Sequence, residues 1–282
     1  MLHNLLLGMV ASTLLATGLL MMKSRGQALP EAHGRRVPAA MLVWLRDPMW
    51  IGGVLVQTLG YALYLVALAG APISLLAVMM QGGVVLFILF AVIFLGEHAS
   101  PGEWAGIATV VLAMAAAALS LSPDAPSSRL DPLALAAMTV AVLVSGGLPS
   151  INRRLRTSGA ALALGSGFAF GLGSLYAKAL TFAFLADPGA ALWVRAAWNP
   201  YVYLAIVANL SGLVMLQNAF HRARGIVAMP LSSAVSNLIP IAGGMIAFGE
   251  GLPAEPLRAA LRVAAFLMTI AGGALVAGSR GT

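Results

Sequence analysis

Apolar residues form long runs along this chain, and charged or Pro- and Gly-rich stretches separate the runs. A helix needs about 20 apolar residues to cross the roughly 30 Å hydrocarbon core of a bilayer. Nine runs of about that length are present, and each predicts a transmembrane helix. They cover residues 2–22, 48–70, 73–95, 103–121, 132–150, 160–185, 200–220, 226–249 and 257–278.

The segments between these runs are short. The longest one joins Lys23 to Asp47 and contains two glycines and two prolines, which is typical of a loop. The first run has no basic leader before it, and Lys23 follows it directly. We therefore expect it to be a retained span and not a cleaved signal peptide.

The composition indicates the same class of protein. Of 282 residues, 60% are hydrophobic and 9% are charged, and the mean hydropathy is +0.94. So few charged residues cannot cover the surface of a soluble domain of this length. The chain is thus expected to be an all-α polytopic membrane protein in contact with a lipid bilayer. Soluble enzymes and nucleic-acid-binding domains are excluded, and the absence of cysteine excludes disulfides and thiolate metal sites.

The distribution of basic residues predicts how the chain lies in the membrane. Cytoplasmic loops are enriched in Lys and Arg, so the richer side is the cytoplasm. Eleven basic residues fall on one side of the nine spans and four on the other. This predicts a multi-pass protein of the inner or plasma membrane, with its N-terminus outside and its C-terminus in the cytoplasm. Arg258 and Arg262 lie on the less basic side.

Two landmarks suggest that the chain contains an internal repeat. Gly18 to Lys23 recurs as Gly173 to Lys178, and Gly96-Glu97 recurs as Gly249-Glu250. The spacing from the lysine to the glutamate is 74 residues in the first copy and 72 in the second. Residues 1–121 and 159–282 would then be two four-helix repeats, joined by a linking helix and loops over residues 122–158. An odd linking span inverts the second repeat, which is the architecture of many secondary transporters.

Polar side chains inside the spans are the candidates for a solute-binding site. In the second span, Gln57, Tyr61 and Tyr64 are spaced i, i+4, i+7 and share one helical face. Interhelical hydrogen bonding is the alternative role for any one of these groups. The full set of candidate binding residues is Gln57, Tyr61, Tyr64, Gln81, Lys178, Asn209, Gln217, Asn218, Ser236 and Asn237.

Charged and helix-breaking residues suggest further roles. Lys178 lies inside the sixth span, where it either extends toward the interface or faces a cavity. Glu97 and Glu250 end their spans and are expected to cap a helix or to act in gating. Pro240 with Gly243-Gly244, and Gly82-Gly83 in the other repeat, are expected to interrupt their helices.

Residues for chemistry are missing from the sequence pattern. No nucleophile, base and acid stand at catalytic spacing, and no phosphate-binding Gly-rich motif or His cluster occurs. We expect a protein that is not an enzyme and uses no cofactor. A membrane scaffold or accessory subunit is the alternative to a transporter, and a lipid-modifying enzyme comes third. The sequence leaves open whether the chain acts alone or as a homodimer.

Several segments resemble a known family. They are Leu45 to Gly53, Ala69 to Pro72 and Gly96-Glu97 in the first half, and Ser174, Lys178 to Leu180, Leu216 to Phe220 and Ile226 to Pro230 in the second. Together they resemble the drug/metabolite transporter superfamily (EamA-like), and within it the NIPA-like magnesium transporters. The resemblance implies an integral membrane carrier with inverted repeats around a central cavity.

One difference from the NIPA-like pattern concerns the solute. A Gly-Glu pair of that branch corresponds here to Gly60-Tyr61, and no Asp or Glu lies away from a span end. Magnesium prefers carboxylate and water oxygens. The sequence therefore predicts a carrier of a small polar solute. The resemblance implies magnesium or another divalent ion as the substrate, and the alternative is export or import of a neutral or anionic organic metabolite.

Overall fold

The structure is a computed structural model, and it describes residues 2–25, 28–30, 37–96, 100–120, 129–151, 158–186 and 197–278. All regular structure in these residues is helical. The helices are α1 (Leu2–Ser24), α2 (Val37–Trp44), α3 (Pro48–Ala69), α4 (Ile73–Leu95), α5 (Pro101–Leu119), α6 (Pro132–Ile151), α7 (Gly159–Ala186), α8 (Pro200–Arg222), α9 (Gly225–Ile246) and α10 (Pro256–Gly278).

Eight of these helices are long and apolar enough to cross a membrane, and α6 adds a further apolar helix. The prediction of an all-α polytopic membrane protein with about nine spans is confirmed. The ends of the predicted spans agree closely, since the run at 73–95 became α4 and the run at 48–70 became α3.

Short polar caps before proline explain where several helices begin. Four polar residues each stand directly before a proline and accept, through their side chains, a hydrogen bond from a backbone N–H of the first turn. They are Asp47, Ser100, Asp131 and Asn199. Proline suits the first helical position because its missing N–H would have no partner there. These dipeptides are visible in the sequence and fix the starts of α3, α5, α6 and α8.

We had expected the connection between Lys23 and Asp47 to be a loop, but part of it is helical. It contains α2, an apolar helix of eight residues. Trp44 at its end is buried, donates from Nε1 to the Pro30 carbonyl at 2.9 Å and packs against Trp50 with 5.6 Å between ring centroids. A helix this short is stable only through such tertiary contacts, which local sequence does not reveal.

Eight of the helices form two sets of four, with α1, α3, α4 and α5 in the first set and α7, α8, α9 and α10 in the second. Contacts between helix ends show that the two sets run in opposite directions. α1 begins where α3 ends, since Asn4 donates to the Gly70 carbonyl, and α1 ends beside the end of α8, since Lys23 donates to the Phe220 carbonyl. In α7, by contrast, Lys178 lies in the second half of the helix and donates to the Leu68 carbonyl at the end of α3. α7 therefore runs toward the end of the bundle at which α1 begins. α1 and α7 are therefore antiparallel, as the inverted arrangement requires.

The helix packing has the same pattern in both sets. α1 packs against α3 and α4, and α7 packs against α8 and α9 in the same way. α4 against α9 and α5 against α10 join the two sets, while α6 packs mainly against α7. Each of these pairs except α6 with α7 maps onto another pair, or onto itself, when the sets are exchanged.

Gly96 and Gly249 mark matching turns in the two sets. Their φ angles are 65° and 61°, and they are the only described residues with a positive φ. Glycine adopts this left-handed conformation without the steric cost of a side chain, and so it ends helices well. The glycines of the two Gly-Glu landmarks thus share one backbone conformation after α4 and α9.

The glycine pairs and Pro240 do not interrupt their helices, so that expectation was wrong. α4 is continuous through Gly82-Gly83, and α9 is continuous through two prolines to Ile246. A methyl group at Gly83 would overlap the Ser12 carbonyl, and one at Gly243 would overlap the Leu175 side chain. These glycines allow close helix packing, which is their common role in membrane proteins.

Each end of the bundle now has defined residues. We call one the basic end, which carries Lys23, Arg25, Arg46, Arg222 and Arg224. We call the other the Glu250 end, which carries Asn4, Gly70, Arg129, Lys178 and Glu250.

Candidate functional site

A cavity of about 530 Å³ lies between the two sets of helices. Its walls come from α1, α3 and α4 of one set and from α7, α8 and α9 of the other. Most lining side chains are apolar. The polar lining residues are Ser12, Gln57, Thr58, Tyr61, Tyr64, Ser174, Asn209, Ser232, Ser233, Ser236 and Asn237.

The cavity brings together many of the residues that the sequence singled out. Gln57, Tyr61 and Tyr64 line it from α3, as their shared helical face predicts. Asn209 lines it from α8, and Ser236, Asn237 and Pro240 line it from α9.

Tyr61 and Asn209 connect two helices on opposite sides of the cavity. Asn209 Nδ2 donates to the Tyr61 hydroxyl at 3.3 Å and to the Ala205 carbonyl at 2.8 Å. The ring of Tyr61 lies 5.9 Å from that of Tyr64. The two tyrosine rings form an aromatic part of the cavity wall, and the hydrogen bond from Asn209 to Tyr61 joins the first set of helices to the second there.

Gln81 does not line the cavity, but it binds two polar residues that do. It is 1% exposed, and its Oε1 accepts from Ser233 Oγ at 2.7 Å and from Asn237 Nδ2 at 2.8 Å. These bonds join α4 to α9, so they also join the two sets of helices. The interhelical role that we kept as an alternative describes Gln81 better than contact with a solute.

Lys178 also lies away from the cavity lining. Its side chain is 4% exposed, and its ammonium donates to the Leu68 carbonyl at 2.9 Å and to the Ala71 carbonyl at 2.8 Å. The ammonium lies 5.5 Å from the ring centroid of Phe182. A buried cation is stable only with such partners, and here they are carbonyl groups at the end of α3.

Glu250 holds the start of the next helix. Its carboxylate accepts from the backbone N–H of Ile73 at 2.6 Å and of Ser74 at 2.9 Å, and from the Ser74 hydroxyl at 2.6 Å. A carboxylate is favoured at a helix N-terminus because the free N–H groups and the helix dipole attract it. Capping was one of the two expected roles, but the capped helix is α4 of the other set and not the helix that follows Glu250.

Lys178 and Glu250 together grip the turn between α3 and α4. The lysine binds the carbonyls that end α3, and the glutamate binds the amides that begin α4. The two side chains also attract each other electrostatically. We call this arrangement the turn clamp. It attaches the first set of helices to the second at the Glu250 end.

Sequence reasoning missed the role of Arg262. This residue is 3% exposed and donates to the Ser120 carbonyl at 3.0 Å and to the Ser120 hydroxyl at 3.3 Å. It also interacts electrostatically with Glu250. Its position on the less basic side was a signal, because a cation there must have a reason other than membrane orientation.

The remaining candidates contribute to packing or fall outside the description. Gln217 and Asn218 are buried in α8 and are not part of the cavity lining. Glu97 lies outside the described residues. Ser12 and Ser174 line the cavity, although no pattern in the sequence distinguishes them from serines that only pack between helices.

Charge is absent from the cavity wall as far as the described residues define it. None of the lining residues is Asp, Glu, Lys, Arg or His. No group of three or more His, Cys, Asp or Glu in the described part of the chain is arranged to hold a metal ion.

The helices and the cavity define a polytopic membrane protein whose architecture fits a membrane transporter in general. Comparison with models of protein families, with curated proteins and with solved structures found no match to this chain.

Proposed function

We propose that this protein is a secondary transporter of the drug/metabolite transporter type, which moves a small organic solute by alternating access between two inverted sets of helices. The supporting observation is a cavity with polar lining residues that lies between two antiparallel sets of four helices. An inverted pair can exchange two equivalent asymmetric states, one open to each side of the membrane.

Contacts at both ends of the bundle provide the parts that such an exchange needs. The turn clamp joins the sets at the Glu250 end, and Lys23 joins them at the basic end by donating to the Phe220 carbonyl at 3.2 Å. In an alternating-access cycle one of these connections loosens while the other stays closed. The basic end faces the cytoplasm in this proposal.

The lining favours an organic solute over magnesium. Magnesium retains several waters and binds through carboxylates, and the cavity lining offers none. Amide and hydroxyl groups on a mostly apolar wall are instead typical of sites for small organic molecules. Of the two substrate classes that the sequence left open, the organic metabolite is therefore favoured over magnesium.

The chain itself suggests a direct test, because it has no cysteine and introduced pairs are the only ones that can form disulfides. A Cβ atom at Gly244 would lie 3.1 Å from that of Ser74, and these residues belong to opposite sets at the Glu250 end. A disulfide requires Cβ atoms about 3.5–4.5 Å apart, so the two positions must separate slightly. The Glu250 carboxylate must also move aside, because the new Cβ atom would overlap it and because Ser74→Cys removes the hydroxyl that donates to it. The variant Ser74→Cys/Gly244→Cys should therefore lock the two sets together when oxidised.

A matched control is available within one set. A Cβ atom at Gly60 would lie 3.0 Å from that of Leu14, and neither residue lines the cavity. The variant Leu14→Cys/Gly60→Cys places the same bond between α1 and α3, which move together in a rigid-body cycle.

The measurement is exchange of radiolabelled solutes by proteoliposomes before and after oxidation. We expect the inter-set disulfide to abolish exchange and dithiothreitol to restore it, while the control disulfide leaves exchange intact. Full exchange with the inter-set disulfide formed would contradict alternating access. Absence of exchange by the wild-type protein over a broad metabolite mixture would favour the scaffold or accessory-subunit alternative.

A further inference from the structure

Two asparagines of the cavity wall have orientations that other contacts determine. Asn209 Nδ2 lies 2.8 Å from the Ala205 carbonyl, and a carbonyl can only accept a hydrogen bond. The nitrogen of the amide must therefore occupy that position, and the oxygen must occupy the other. Asn209 Oδ1 accepts no hydrogen bond from any residue that the structure describes.

Asn237 has the same arrangement on α9. Its Nδ2 lies 2.7 Å from the Ser233 carbonyl and also donates to Gln81 Oε1 at 2.8 Å. Its Oδ1 receives no donor from the described part of the chain. Asn237 lines the cavity, so its Oδ1 can accept a hydrogen bond from a ligand or from water there.

The cavity wall thus presents two fixed acceptors, one from α8 and one from α9. Gln57 adds an amide that makes no hydrogen bond among the described residues and can donate or accept. The Tyr61 hydroxyl accepts from Asn209, so its own proton is available to a solute.

The rest of the wall disfavours charge. Among the described residues, the lining has no acidic side chain to pair with a cation and no basic side chain to pair with an anion, and most of it is apolar. Burying an ion without a partner costs several kcal/mol or more, whereas a neutral polar group needs only its hydrogen bonds. The buried charges of the turn clamp already bind backbone groups.

Resting on the proposed transport function, we infer that the cavity binds an uncharged organic solute that donates at least two hydrogen bonds, to Asn209 Oδ1 and Asn237 Oδ1. The cavity volume of about 530 Å³ suits a molecule of metabolite size. The apolar part of the solute lies against the aromatic and aliphatic wall, and the N–H or O–H groups face the asparagines.

Four forms of one small molecule separate charge from donor number. N-acetyl-leucinamide is neutral with three N–H bonds, and N-acetyl-leucine dimethylamide is neutral with one. N-acetyl-leucine is an anion. Leucinamide is a cation when the pH is below the pKa of its amine. Matched sets made from alanine and phenylalanine extend the range of size.

Uptake of this panel into proteoliposomes is followed by mass spectrometry. The variant Ser236→Trp fills the cavity and gives the background, because passive entry does not depend on it. Val207→Trp on the exposed surface of α8 is the matched control for adding a tryptophan, and it should transport like wild type.

We expect uptake above background for the neutral primary amides, at least about tenfold faster than for the anion, the cation or the dimethylamide. Background-corrected uptake of an anion or a cation at the rate of the neutral amide would overturn the substrate class and leave the carrier proposal standing. Uptake of the dimethylamide at that rate would overturn the donor requirement. No uptake above background for any member of the panel would contradict both.

A second variant tests the role of Asn209 without changing its size. Asn209→Asp replaces the amide by a carboxylate and supplies the missing partner for a cation. We expect the ratio of leucinamide uptake to N-acetyl-leucinamide uptake to rise about tenfold or more. An unchanged ratio in a folded variant would mean that Asn209 does not contact the solute.

Discussion

Lys23 and Lys178 occupy corresponding positions in the two repeats, and their surroundings are alike in kind. Each ammonium donates to backbone carbonyls near the end of a helix in the other set, Phe220 for Lys23 and Leu68 with Ala71 for Lys178. Each lies over a phenylalanine ring, at 5.3 Å and 5.5 Å from the centroid. The repeated lysine therefore joins the two sets at both ends of the bundle.

The two ends differ in burial. Lys178 is almost fully buried and lies near Glu250, which Arg262 also faces from α10, whereas Lys23 is half-buried at the basic end. Buried charges are costly to separate, because each partner that remains loses its compensation. One repeated position thus makes a strong connection at the Glu250 end and a more solvated one at the basic end. Opening the Glu250 end should be the more costly step.

Removing Glu250 should have the largest effect on this comparison. Glu250→Ala deletes three hydrogen bonds to the start of α4 and leaves Lys178 and Arg262 without their negative neighbour. We expect the free energy of unfolding to fall by about 3–5 kcal/mol. Thermal unfolding of purified protein, followed by tryptophan fluorescence, measures the change.

Glu255→Ala is the control for Glu250→Ala. Glu255 is exposed and pairs with Arg258 at the surface, so its loss should change the unfolding temperature little. Equal effects of the two substitutions would show that the turn clamp does not stabilise the Glu250 end.

Replacing the two lysines compares the ends directly. Lys178→Met leaves the carbonyls of Leu68 and Ala71 without their donor in a buried site, and we expect a loss of about 2–3 kcal/mol. Lys23→Met should cost roughly 1 kcal/mol, because water can replace a half-buried ammonium. The reverse order, measured by the same unfolding assay, would refute the difference between the ends.

A methyl group at Gly173 should disturb the cavity more than the fold. It would overlap the amide of Asn209 and displace it from Tyr61. We expect Gly173→Ala to reduce uptake of N-acetyl-leucinamide about tenfold, with an unfolding temperature close to that of wild type. Gly165→Ala on the same helix meets only the flexible end of Met215 and should retain uptake.

Asp47 should give the smallest effect, because its partner Arg25 at the basic end is 44% exposed. The backbone N–H of Trp50 and the guanidinium of Arg25 hold the pKa of Asp47 below its ordinary value of 3.8. Since the folded-state pKa is the lower one, Asp47 stabilises the fold above the unfolded pKa, and this contribution is lost as the pH falls through the folded pKa.

We expect Asp47→Ala to lower the unfolding temperature by about 2 °C at pH 7. Asp47→Asn keeps an oxygen for the Trp50 N–H and should lose less. A larger fall for Asn than for Ala would contradict the capping role.

Part of the candidate site could be predicted from the sequence, and the reason is local geometry. Gln57, Tyr61 and Tyr64 share a face by helical periodicity alone, so one helix turned toward the cavity brings all three to its wall. Gln217 and Asn218 are equally polar, yet they lie outside the lining. The rotation of α8 about its axis decides this, and neighbouring helices set that rotation.

The spans, several helix starts and the repeated Gly-Glu landmark can be read from the linear sequence, because apolar length, capping residues and glycine conformation act over a few residues. That Lys178 and Glu250 bind the two sides of one turn, more than a hundred residues away along the chain, follows only from how the helices pack. The same packing leaves some amide oxygens without a donor. Partners for buried polar groups are chosen by helix packing between the repeats, and a linear pattern contains no record of those distances.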